Sequence, residues 1–215
     1  MDAGADTRKL ADAFIRFADG QRDGDFRRPA RDLARAIESA YNLEPGEARL
    51  LALAEARDKA RSLRYTFKQN WKRAVKADGL ARADLDFVSD ASPWIGSERL
   101  YEAQDAARGT QRQYLQYGAA GGHVRRIIRA IGRDLPREAR EARAQGAFRL
   151  SGVSFRLVEW ALRLAIEPPP RRRREHWSDL NELADGPHPR RAQLRYAVTV
   201  LLRGLAGFAN PSLDT

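Results

Sequence analysis

The sequence predicts an all-α protein, a multi-helix bundle of seven to nine helices with one long central helix. Three observations predict it. Apolar residues recur at intervals of three and four along nearly the whole chain, the signature of helices buried on one side. From about Glu47 to Ala77 neither proline nor glycine interrupts that rhythm. Hydrophobic residues make up 43% of the 215-residue chain, enough for a core and too many for a disordered polymer.

The elements follow in order. Leu10, Phe14, Phe17 and Ala18 mark a first amphipathic helix, with Asp6 or Thr7 at its N-cap. The Gly/Asp-rich stretch 20–25 breaks it. Pro29 sits well in the first turn of a second helix whose inner face is Leu33, Ile37 and Ala40. Residues 42–46, with Pro45, form a turn. The helix over 47–77 is then roughly 45 Å long at 1.5 Å per residue. Asp78-Gly79 reads as its stop, and a short helix over 80–88 precedes a turn at 92–96.

Ser97 and Glu98 open a helix reaching Tyr117. The glycines in 118–122 read as a hinge. Val124, Ile127, Ile128 and Ile131 describe a further helix closed at Leu135-Pro136. The stretch 148–166 is the most apolar, with Val153, Leu157, Trp160, Ala161 and Leu164 on a buried helix. Its first residues also fit a small hairpin turning at Ser151-Gly152. Prolines 168–170 end that helix and extend the chain, so 168–174 reads as a Pro/Arg linker. A short helix over 178–183 and a last one from Pro189 to Gly207 complete the chain. A single helical domain over 1–215 is expected, with Phe14, Ile37, Leu53, Leu63, Phe67, Ile127, Ile131, Leu157, Trp160 and Leu164 in its core.

Composition excludes several chemistries. There is no cysteine, hence no disulfide, no thiolate nucleophile and no Cys-ligated zinc. His123, His176 and His188 are far apart in sequence, and no paired-His metal spacing exists. Asp84, Asp86 and Asp90 fit neither a calcium loop nor a helical Asp-rich motif and read as helix-end caps. No cofactor is expected. The longest apolar run, 197–209, is interrupted by Arg203 and falls short of the ~18 residues of a membrane span. With no signal pattern at the N-terminus, the expected location is cytoplasmic.

Charge carries the functional information. The formal net charge is +10 and the isoelectric point about 10.4, an excess that attracts polyanions. Arginine outnumbers lysine 34 to 5, a bias that GC-rich codons also produce, so position is more informative than identity. Residues 51–77 hold eight basic and two acidic groups, and residues 111–133 hold five basic and none acidic. Residues 78–110 hold three basic and seven acidic. The two basic segments together exceed the charge of the whole chain.

Within the first, Arg57, Arg61, Arg64, Lys68 and Lys72 are spaced 4, 3, 4 and 4. On a helix they fall within an arc of about 80°, beside an apolar stripe of Leu53, Ala56, Ala60, Leu63, Phe67 and Trp71. The ridge is about 22 Å long and suits several phosphates. Tyr65 and Trp71 border it and offer rings to unpaired bases. Within the second segment, Arg125, Arg129 and Arg133 share one side by i, i+4 spacing, with His123 and Arg126 beside them. Arg171 to Arg174 form a third run, expected to clamp phosphates, meet an acidic protein or solubilise the linker.

These residues predict a non-enzymatic nucleic-acid-binding protein, or a basic subunit of a nucleoprotein assembly, that holds the phosphate backbone of DNA or RNA. The alternative is a helical adaptor whose ridges meet acidic protein, including the acidic segment 78–110 within the chain or across a homodimer. A third reading comes from Arg171-x-x-x-x-His176, which resembles the Arg-x4–6-His motif of HEPN-type ribonucleases. That resemblance implies a helical fold and an RNA-cleaving pair of Arg171 and His176. The turn 44–47 is similar to that of helix-turn-helix repressors, but the helix after it is too long for a recognition helix.

Overall fold

The computed structural model describes residues 4–21, 24–91, 96–144, 151–164, 170–185 and 188–209. Among these residues it is all-helical, with seven α-helices, two short 3-10 turns and no strand. The helices are α1 (Ala5–Asp19), α2 (Arg27–Tyr41), α3 (Glu47–Asp90), α4 (Ser97–Ala144), α5 (Gly152–Leu164), α6 (Pro170–Glu182) and α7 (Pro189–Ala209). The chain falls into two compact units, one of residues 1–44 and 52–137, the other of 45–51 and 138–215.

In the first unit, α3 and α4 pair antiparallel. Asp84 meets Arg99 at 3.2 Å, Asp78 accepts from the Thr110 hydroxyl at 3.4 Å, and the Phe67 and Tyr117 rings lie 6.3 Å apart. Trp71 lies against Gly118, and Arg57 against Gly132. The numbers rise on one helix as they fall on the other, so residue i of α3 stands level with roughly residue 187 − i of α4. Much of the seam is alanine: Ala56, Ala60 and Ala74 on α3, and Ala103, Ala107 and Ala120 on α4 are all buried. Small side chains let two long helices approach closely along many turns.

This pairing explains why breaks expected from local composition are absent. Asp78-Gly79 does not stop α3, which continues to Asp90. Asp78 is a seam residue, only 8% exposed, and its carboxylate binds Arg82 one turn on at 2.9 Å as well as Thr110. A mid-helix glycine costs about 1 kcal/mol, less than packing along the seam returns. The segment 118–122 is likewise helical rather than a hinge, and Pro136 lies inside α4 without ending it. Asp84 and Asp86 lie within α3 rather than capping it, and Asp90 is its last residue.

Helices α1 and α2 cover one broad side of the α3–α4 hairpin. Phe14 of α1 meets Phe67 edge-on at 6.2 Å and His123 at 5.9 Å. Phe26 stands 5.5 Å from Phe67 and 5.2 Å from Tyr117. Phe14, Ile37, Leu53, Phe67, Ile127 and Ile131 are buried as expected, whereas Leu63 is half-buried. The first helix starts at Gly4, whose φ of 102° only glycine adopts readily. Neither Asp6 nor Thr7 caps it; the Thr7 hydroxyl donates instead to Asp134 on α4 at 2.6 Å.

The second unit assembles α5, α6 and α7 with the first turn of α3 and the last two turns of α4. Trp177 is fully buried and meets Phe155 edge-on at 5.3 Å. The buried Gln193 side chain accepts from Ser151 N–H at 2.9 Å and donates to the Leu180 carbonyl at 3.0 Å, tying α7 to α5 and α6. The helix α5 is rotated from the orientation expected: Ala161 is buried as expected, together with Val158 and Leu162, but Leu157 is half-buried and Val153 and Trp160 are exposed. The Leu164 side chain and residues 148–150 lie outside the described residues, and residues 152–155, the second half of the expected hairpin, are instead the first turn of α5. Residues 170–174 belong to helix α6 rather than to an extended linker. Pro170 occupies its first turn, where a missing N–H and a preset φ favour a helix start.

Candidate nucleic-acid interface

Contacts settle which way each basic side of the first unit faces. On α3, Asp78 and Trp71 point to α4, while Lys59, whose Nζ donates to the Asp32 carbonyl of α2 at 3.1 Å, points to the covered side. Taking Asp78 as the origin, Lys59 lies about 100° to one side, and Arg57, Arg61, Arg64, Lys68 and Lys72 about 40–120° to the other. On α4, His123 and Asp134 face α1 and α2. A rotation of about 150° from them reaches Thr110 and Gly132, which face α3, and a further 80° or so reaches Arg125, Arg129 and Arg133. Because the helices are antiparallel, both departures lead to the same side, away from α1 and α2. The two basic segments, some 60 residues apart in sequence, thus share one open face.

They also share a level. Arg57 to Lys72 stand beside residues 115–130 of α4, and Arg125, Arg129 and Arg133 beside residues 54–62 of α3. Arg64, Lys68, Lys72, Arg125, Arg129 and Arg133 are exposed, and among the described residues none of them has a carboxylate at ion-pair distance. Arg61 is half-buried and bound to Asp58 at 3.3 Å. Arg57 is half-buried too: a Cβ at Gly132 would lie 2.7 Å from its Nη2, so its guanidinium lies against the α4 backbone.

Arg126 is exposed but lies at the outer edge of α4, where it meets His123 Nδ1 at 3.3 Å. Burial, and then the charge of Arg126, push the His123 imidazole below its ordinary value. Trp71 is 39% exposed, and Tyr65, 65% exposed, stands at the margin of the face.

The glycines read as a hinge have a different consequence here. Gly118 and Gly122 fall on the open face of α4, level with Lys68 and Arg64. Among the described residues nothing approaches the Cβ position of Gly122, and Trp71 alone approaches that of Gly118, at 3.6 Å. Bare backbone therefore continues the line of the α4 cations beside Lys68 and Arg64. The signal is legible in the i, i+4 spacing of these glycines, in phase with Arg125 and Arg129.

The other candidates separate. Arg173 is not a phosphate clamp: it is buried in the second unit and binds Glu159 at 2.9 Å. The side chains of Arg171 and Arg172 lie outside the described residues. His176 Nδ1 lies 2.7 Å from the Tyr196 hydroxyl, which donates to Asp179. Burial and that bond raise the Tyr196 phenol well above its ordinary value. Among the described residues, no group of three or more His, Asp or Glu side chains is arranged to hold a metal ion, and no helix is long and apolar enough to cross a membrane. No family model, curated protein or solved structure matches the chain.

Proposed function

We propose that the first unit binds nucleic acid, DNA or RNA, through the phosphate backbone along the open face of α3 and α4, without a catalytic step. The observation that carries this reading is the convergence of six exposed cations, Arg64, Lys68, Lys72, Arg125, Arg129 and Arg133, from two distant segments with no ion-pair partner among the described residues. Like charges gathered on one low-dielectric surface repel one another and favour a polyanion that releases its counterions on binding. The acidic segment does not consume this charge within the chain: Asp78 binds Arg82, and Asp84 and Glu102 bind Arg99, all inside residues 78–110.

Such contacts position a backbone and read little sequence. Fluorescence anisotropy of a labelled oligonucleotide across a salt series tests the reading. Log affinity should fall with log salt at about −0.9 per phosphate engaged, giving a slope near −5 for the six cations. Replacing Arg64, Lys68, Arg125 and Arg129 by glutamate should abolish binding and leave the helical circular dichroism unchanged. Undiminished binding by that variant refutes the site.

A further inference from the structure

Helix α3 carries a second stripe, on the side away from its seam with α4. The seam beyond Trp71 runs through Ala74, Asp78, Ala81, Leu85 and Val88, all buried or half-buried. Two residues on from each, about 200° round the helix, stand Lys76, Leu80, Ala83, Phe87 and Asp90. All five are exposed, Leu80 by 66% and Phe87 by 69%. Apolar residues at 3 and 4 spacing, here Leu80, Ala83 and Phe87, are the pattern of a buried helix side, yet α4 already occupies the opposite side.

The order of the stripe is cation, large apolar, small, large apolar, anion. It is symmetric in size about Ala83 and antisymmetric in charge. A second copy turned by half a revolution about an axis at Ala83 sets its Asp90 level with Lys76, and its Phe87 within one residue of Leu80. Each contact then occurs twice, as an isologous interface requires. Alanine on the axis permits the 8–10 Å approach of packed helices. Neither Lys76 nor Asp90 has an ion-pair partner in its own chain among the described residues.

We propose that the protein is a homodimer in which two copies of α3 pair antiparallel along Lys76, Leu80, Ala83, Phe87 and Asp90. The stripe lies about 90° round α3 from the centre of the basic ridge, so the dimer leaves the open face uncovered and does not rest on the nucleic-acid reading.

The chain has no cysteine, so Ala83→Cys introduces a single thiol at the two-fold axis. Mild oxidation should convert this variant to a disulfide-linked dimer, while Ala119→Cys, on an exposed position of α4 away from the axis, should form no disulfide-linked dimer. In sedimentation equilibrium the unmodified protein should dimerise, and Phe87→Glu should be monomeric with unchanged circular dichroism. Lys76→Asp and Asp90→Lys should each weaken the dimer at least tenfold, and the two together should restore it, because the exchanged charges again face one another. A monomer up to hundreds of micromolar overturns the proposal and leaves the stripe to a different partner. So does cross-linking that does not distinguish positions 83 and 119, or a dimer indifferent to Phe87→Glu and to the charge exchange.

Discussion

The Asp134 carboxylate of α4 accepts hydrogen bonds from the Tyr41 hydroxyl at 2.5 Å and the Thr7 hydroxyl at 2.6 Å. One oxygen thereby joins α1, α2 and α4 on the covered side of the hairpin. Hydrogen bonds to a charged acceptor are worth about 1.5–3 kcal/mol each. Asp134→Ala should therefore lower unfolding free energy by about 2–4 kcal/mol, read from urea denaturation. A loss below 1 kcal/mol would mean that solvent replaces the carboxylate without cost.

The entry into α1 is equally specific. Gly4 holds φ 102°, and a Cβ there would come within 2.4 Å of the Tyr41 ring. Gly4→Ala should cost about 1–3 kcal/mol from strain alone, and more as Tyr41 is displaced from Asp134. The thermal midpoint of this variant checks it, with Gly20→Ala as a control, since no contact there is closer than 3.5 Å.

In the second unit, Glu159 and Arg173 form a fully buried ion pair at 2.9 Å. Removing Arg173 strands the Glu159 carboxylate away from water. Arg173→Leu should destabilise by about 3–5 kcal/mol, whereas replacing both, as Glu159→Met with Arg173→Leu, should be far milder. Equal losses from the single and double variants would contradict this account.

Two groups link stability to pH. His123 titrates below its ordinary value because burial and Arg126 disfavour its cation. The unfolded chain then takes up a proton near pH 6.5 that the folded chain refuses. Its contribution is present above that pH and lost as pH falls, a loss that His123→Phe should remove. Tyr196 is shifted the opposite way, its phenol raised by burial and by the bond to Asp179. Its contribution is intact below about pH 10, where the unfolded phenol ionises, and wanes as pH rises further. Tyr196→Phe should flatten the alkaline limb of a stability–pH profile; an unchanged limb would assign that loss to other groups.

Much of this protein was legible from spacing alone. The 3,4 rhythm names a helical fold and puts Phe14, Ile37, Leu53, Phe67, Ile127 and Ile131 inside, because burial of one side needs only periodicity. It also assembles the ridge from Arg57 to Lys72, since five residues on one helix share a side whatever surrounds them. Punctuation by glycine and proline was less reliable. Asp78-Gly79, the glycines of 118–122 and Pro136 are weak points only in an isolated helix, and here pairing along the hairpin outweighs their cost.

What the sequence by itself determined is local: helix type, apolar sides, the absence of thiol chemistry, and the segregation of charge into blocks. Only the tertiary structure decided that the two basic blocks face the same way, that Arg57 turns against Gly132 and Arg173 into the core, and that Leu80 and Phe87 stay outside. The reason is physical. Periodicity fixes the angle of a side chain about its own helix axis, but which neighbour lies in that direction depends on the register and hand of packing between helices far apart in sequence.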